Sequence, residues 1–195
     1  NGRIMGMEDV LCHLIDGDGA AMNFMQRRAD FQYGVLERTL DKCGKYIAFV
    51  WLGEDLGTQR GPMISPDLYR ETLKPVHKGF VGLAASFGKP VLIHSCGSSS
   101  WAFEDFIEFG VSAVDTLQPE VLNMSPGYLK ETFGNRLGYR GCISTAGKLA
   151  TGDSLLSAKR DWDRYLGEPA INAGILGASY LFPWMKAVPW AGPVG

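Results

Sequence analysis

The sequence predicts an α/β protein built on a parallel sheet, and three observations carry that reading. Short apolar runs of strand length recur along the chain, segments with one apolar face at helical spacing separate them, and polar residues gather where each run ends. Such an alternation is what βα units write into a sequence.

In chain order, residues 7–15 place Met7, Val10, Leu11, Leu14 and Ile15 on one helical face. Met22, Met25, Ala29, Val35, Leu36 and Leu40 predict a longer helix that stops near Cys43-Gly44. The unbroken apolar run at residues 46–52 predicts a strand covered on both faces. After a loop at residues 53–64, Ser65-Pro66-Asp67 supplies a hydroxyl cap, a proline at the first position and an acid in the first turn of a helix that reaches Phe87-Gly88, kinked at Pro75. Residues 90–94 predict the second strand, 101–109 a helix ended by Gly110, and 111–117 the third strand. Ser125-Pro126 opens a helix that closes at Phe133-Gly134, and residues 137–143 predict a fourth strand. Beyond these, Asp153 caps a helix over 154–166, and residues 179–182 predict a fifth strand before a tail rich in Pro, Gly and Trp.

The 195 residues form one domain by this reading, with no repeat, low-complexity tract or charge run. With 46% hydrophobic and 21% charged residues the chain is neither disordered nor a coiled coil. A net charge of −2 gives no field that would attract nucleic acid or an anionic membrane surface. No apolar run approaches the roughly 20 residues of a membrane helix, which predicts a soluble protein. Cys12, Cys43, Cys96 and Cys142 lie far apart without CxxC spacing, as expected of reduced thiols in a cytoplasmic enzyme, and Cys12 and Cys43 are expected to be packing residues. The opening Asn1-Gly2-Arg3 lacks an initiator Met, and the expectation is a gene fragment.

Glu54-Asp55, His94-Ser95-Cys96, Asp115, Gln118 and Ser144-Thr145 all fall at or just beyond the carboxyl ends of predicted strands. That rim hosts the active site both in doubly wound sheets and in (β/α)8 barrels. His94 and Cys96, two residues apart at a strand end, turn to the same side and within reach of one metal ion. Imidazole and thiolate suit Zn²⁺, which lowers the pKa of a bound thiol and so offers a nucleophile at neutral pH. The plainer alternative is a histidine bonded to backbone beside an inert buried cysteine. A carboxylate at Asp55, with Glu54 beside it, suits a general acid or a ligand for pyrrole or amine N–H groups, against a plain role in capping the loop. Gln118 and Asp115 stand where they would position a polar group of the substrate, with a loop hydrogen bond as the alternative for Gln118. His13 and His77 fall inside predicted helices, where a solvated or internally satisfied imidazole is expected.

Taken together, Gly53-Glu54-Asp55-Leu56-Gly57-Thr58-Gln59, Ile64-Ser65-Pro66, Tyr69-Arg70, Lys74-Pro75, His94-Ser95-Cys96-Gly97-Ser98, Gly110-Val111, Gln118-Pro119 and Phe133-Gly134-Asn135-Arg136-Leu137 resemble the uroporphyrinogen decarboxylase superfamily over about residues 5–152. The resemblance implies a (β/α)8 barrel of the TIM type, of which this chain would be the carboxyl-terminal four to five units, with residues 155–195 divergent. It implies one of two activities. The first is zinc-dependent methyl transfer to a thiol, working with a corrinoid protein. The second is uroporphyrinogen decarboxylation in porphyrin biosynthesis, which needs no metal and would rest on Asp55. Methyltransferases of the superfamily complete the zinc site with a cysteine after the last strand; Tyr180-Leu181-Phe182-Pro183-Trp184 has none, and Cys142 is either a substitute ligand or, the plainer alternative, a residue filling a small space where the superfamily more often has glycine. A third possibility is a non-catalytic fragment that binds tetrapyrrole or assembles with another half.

A partial barrel leaves unpaired strand edges and an uncovered apolar interior, so self-association is expected. Light scattering during gel filtration should therefore give a dimer or larger species. A monomer with a cooperative melt would replace the partial barrel with a compact open sheet.

Overall fold

The computed structural model describes residues 2–141. Three helices lead in: α1 (Gly2–Met5), α2 (Met7–Asp16) and α3 (Gly19–Cys43). Then follow β1 (Val50–Gly53), α4 (Pro66–Thr72), α5 (Lys74–Ser86), β2 (Val91–His94), α6 (Phe103–Glu108), β3 (Ala113–Leu117), α7 (Pro126–Phe133) and β4 (Gly138–Gly141). The four strands form one parallel sheet in the order β1-β2-β3-β4, so consecutive βα units lie side by side. The expected helix at 154–166, the strand at 179–182 and Cys142 lie outside the described residues.

Local chemistry sets most helix ends where the sequence predicts them. Ser65 and Ser125 accept hydrogen bonds from the amides of Leu68 and Tyr128, each with proline in the first helical turn. Asp18 caps α3 by accepting from Ala21, and Gly17 closes α2 in the left-handed conformation. Gly110, with φ of 93°, ends the α6 segment as expected.

Four expectations need correction. The run at 46–52 is not a fully covered strand: Gly44–Tyr46 is a 3₁₀ turn, Tyr46 is 79% exposed, and the strand starts only at Val50. Among the described residues β1 pairs on one side only, with β2, and Trp51 is 53% exposed. The helix after Ser65 is not merely kinked but divided at Leu73, since Pro75 in the first turn of α5 has no N–H to continue the ladder. The helix expected at 101–109 starts with a 3₁₀ turn, Ser100–Ala102, before α6. Cys12 and Cys43 are exposed rather than packed; Cys12 sits between buried Val10 and Leu14 on the opposite side of α2, and Cys43 is the last residue of α3.

The core lies between one face of the sheet and the helices that follow its strands. Val91, Ile93 and Val114 alternate onto that face and meet Tyr69, Val81, Phe103, Phe106 and Phe133. A smaller cluster of Val10, Leu14, Ala21 and Met25 joins α2 to α3 and packs on Leu68 and Leu73. Between the helix layers, buried Asp105 accepts hydrogen bonds from Lys74 (2.8 Å) and Arg70 (3.1 Å), and Lys74 also reaches Glu108 (2.6 Å). Burial alone would raise the pKa of Asp105, but the hydrogen bonds and charges of Lys74 and Arg70 outweigh it and hold the carboxyl below its usual range.

A depressed folded-state pKa stabilises the fold above the unfolded carboxylate value of about 4, and that contribution is lost as pH falls through the lower folded value. Asp105→Asn should therefore cost about 1–3 kcal/mol in urea melts at neutral pH, with the difference from wild type shrinking below about pH 4. A difference that stays constant down to strong acid would remove Asp105 from this role.

Candidate functional site

The parallel register aligns Gly53 with His94 and His94 with Asp115, so β1 and β2 end level with one another and with Asp115, two residues before the end of β3. Two loops leave from this line. The loop after β1 carries Glu54, Asp55, Leu56 and Gly57; the loop after β2 carries Ser95, Cys96 and Gly97. They lie against one another so closely that a side-chain carbon on Gly57 would stand 2.5 Å from the Ser98 amide nitrogen, and one on Gly97 would strike the Gly57 carbonyl. Gly97 also has φ of 73°, a conformation glycine adopts without strain.

Hydrogen bonds lock this crossing. The Leu56 amide donates to Ser95 Oγ at 3.1 Å, the Ser98 amide to the Thr58 carbonyl at 2.8 Å, and the Cys96 amide to Asp55 Oδ1 at 2.9 Å. From the β3 side, Gln118 Oε1 accepts from the Gly97 amide at 2.7 Å.

The result is a compact group of three potential ligands. His94 Nε2 lies 3.4 Å from Asp55 Oδ1 and 3.5 Å from Cys96 Sγ, and the three ligand atoms all fall within 4.8 Å of one another. The Asp55 side chain is 48% exposed and that of His94 is 23% exposed, so the group opens to solvent. Zinc bond lengths of about 2.0–2.2 Å to N or O and about 2.3 Å to S, at tetrahedral angles, require N···O near 3.4 Å and N···S near 3.6 Å. The two separations from His94 Nε2 fit. Burial, with the charge of Asp55 next in weight, raises the Cys96 thiol above its usual pKa, so a thiolate at neutral pH needs a positive charge beside it.

The other sequence candidates take different places. Glu54 turns away from Asp55: its Oε2 lies 3.8 Å from His77 Nε2, and both residues line a cavity of about 460 Å³ between α3, β1 and α5. His77 is a satisfied core histidine, as expected, 3.2 Å from the Tyr69 hydroxyl. Burial, with the charges of Asp105 and Glu54, pushes that hydroxyl up, so it stays protonated. His13 is partly exposed, 4.0 Å from Asp18. Gln118 braces a loop by accepting from the Gly97 amide. Asp115 is buried beneath the group rather than at its mouth, with Trp51, His94 and Arg140 around its carboxylate.

Sequence reasoning missed Gly57, Trp51 and Arg140, and placed Ser95 on the rim without a role. Gly57 and Ser95 stand inside the quoted motifs, but no periodicity shows that two loops touch. Trp51 was read as an ordinary member of an apolar run.

Comparison with protein-family models, with curated proteins and with solved structures gives no match. Among the described residues no helix is long and apolar enough to cross a membrane, and Cys12, Cys43 and Cys96 are free thiols.

Gly57→Ala should force the two loops apart, cost about 1–3 kcal/mol by overpacking against backbone, and disperse the ligand group. Gly61→Ala is the control, because a side-chain carbon there meets nothing within 4 Å. Urea melts of both variants check this, and equal stability for the two would show that the crossing tolerates a methyl group.

Proposed function

We propose that this chain is part of a barrel enzyme of the uroporphyrinogen decarboxylase type in which Asp55, His94 and Cys96 hold a zinc ion that activates a thiol substrate for methyl transfer. The observation that carries the proposal is that His94 Nε2 stands 3.4 Å from Asp55 Oδ1 and 3.5 Å from Cys96 Sγ, the spacings of a tetrahedral zinc site, with the three ligand atoms within 4.8 Å of one another and room for a substrate as fourth ligand. The resemblance of the ordered motifs to the superfamily supplies the corrinoid protein as the methyl-carrying partner. The unbroken order β1-β2-β3-β4 supports the barrel, since a barrel adds each unit beside the last, whereas a doubly wound sheet reverses direction.

When bound, the zinc supplies Lewis acidity that keeps a thiol sulfur deprotonated at neutral pH. The protein's part is to position. Asp55 and Cys96 are tied to each other through the Cys96 amide, so the carboxylate and the thiol approach His94 as one unit. In this role Asp55 replaces the second cysteine that methyltransferases of the superfamily use, so the site does not depend on Cys142. Asp55 Oδ1 is committed to Cys96 and His94, which favours this reading over decarboxylation, where Asp55 would face a tetrapyrrole.

Purified protein is expected to bind about one zinc per chain. Cys96→Ser and Asp55→Asn should each weaken binding beyond the roughly 10–100-fold that loss of an outer-shell partner costs. Methyl transfer from a methylated corrinoid to a thiol should fall with the metal. Wild-type protein that takes up no zinc in equilibrium dialysis would end the proposal.

A further inference from the structure

The face of the sheet that carries the ligand group also carries a buried carboxylate that the metal reading does not use. Trp51 lies two residues before Gly53 on β1, Gly53 is in register with His94, and His94 with Asp115. With a period of two, all three side chains stand on the same face. Arg140 reaches the same carboxylate from β4.

The side chain of Asp115 is 6% exposed. Its Oδ2 accepts from Trp51 Nε1 at 3.0 Å and from Arg140 Nη1 at 2.7 Å. A charge-assisted bond to a guanidinium and a second donor on the same oxygen fix the orientation of the carboxylate. Its Oδ1 is thereby turned toward His94 Nδ1, 3.4 Å away. The Trp51 ring also lies against the imidazole, with centroids 5.6 Å apart and planes inclined at 52°.

We infer that Asp115, held by Trp51 and Arg140, is the positioning residue that keeps the proton of the neutral His94 ring on Nδ1 and presents a bare Nε2 to Asp55 and Cys96. This inference rests on the metal-site reading and deepens it. An imidazole binds a metal through an unprotonated nitrogen, and the partner of the other nitrogen selects the tautomer. A carboxylate has only acceptors, and although Asp55 Oδ1 stands as far from Nε2 as Asp115 Oδ1 does from Nδ1, Asp55 is half-exposed and already accepts from the Cys96 amide, so the buried and doubly anchored Asp115 selects Nδ1–H. Without that selection the proton could sit on Nε2, where the nearby Asp55 oxygen would accept it and the ligand lone pair would be lost.

Asparagine at this position tests the idea, because its oxygen would remain with the Trp51 and Arg140 donors and its NH₂ would face Nδ1. The imidazole would then have to accept at Nδ1 and carry its proton on Nε2, the wrong-tautomer effect known when asparagine replaces the aspartate of a catalytic triad.

Long-range ¹⁵N NMR correlations of the His94 ring in metal-free protein, at a pH where the ring is neutral, read the tautomer directly. Wild type should show Nδ1 protonated, and Asp115→Asn should show Nε2 protonated with zinc affinity lower by about 10–100-fold. Asp105→Asn, destabilised but remote from the site, should keep the wild-type tautomer and affinity, which separates positioning from stability. Trp51→Phe should keep the Nδ1 proton, because the carboxylate remains. If Asp115→Asn does not fold, the wild-type spectrum decides, since an Nε2-protonated neutral ring overturns the inference by itself. Wild-type zinc affinity retained in a folded Asp115→Asn would also overturn it. A wild-type protein with the Nδ1 proton in place and no zinc uptake would instead overturn the metal reading and, with it, any ligand-orienting role.

Discussion

Gly57 and Gly97 cross at a distance that excludes a side-chain carbon on either, and the candidate site is a consequence of that contact. The two residues belong to loops that leave adjacent parallel strands, and each loop covers polar backbone of the other. Asp55, which no strand carries, reaches the Cys96 amide because the loops meet. Cys96 then lies beside His94, the last residue of β2, instead of following an extended path away from it. A wider separation would leave three polar side chains at a rim with no common centre.

The fold was legible where the chain's own chemistry decides it. Capping serines with a following proline mark the starts of α4 and α7, and the strands read at 90–94 and 111–117 contain β2 and β3. Legibility failed where position in the sheet decides. Residues 46–49 are apolar enough for a strand, yet β1 begins at Val50, and Trp51 keeps an exposed ring on a strand that, among the described residues, pairs on one side only. Cysteine type alone suggests burial, but Cys12 occupies the outward side of its helix.

The site was half legible for the same reason. His94 and Cys96 are two residues apart at a strand end, so their spacing turns them to one side and the pair can be read directly, while the loop crossing sets their distance. Asp55 is 39 and 41 residues away from them, and its place in the group follows from loop packing that no local pattern encodes. Asp115 was recognisable as a polar residue at a strand end, but not as a buried one, because its burial depends on Trp51 and Arg140 from two other strands. Polar residues at strand ends thus identified the right rim, and the division of labour among them came from tertiary structure.

The central claim is that carboxylate, imidazole and thiol converge on one tetrahedral metal position, and cobalt(II) substitution tests it most directly. Cobalt reports both geometry and ligand type in its absorption spectrum, and it accepts the same donors as zinc. The account predicts the intense visible bands of four-coordinate cobalt, accompanied by a near-ultraviolet thiolate-to-cobalt charge-transfer band that disappears in Cys96→Ser. A weak spectrum of six-coordinate cobalt, unchanged by that substitution, would contradict it.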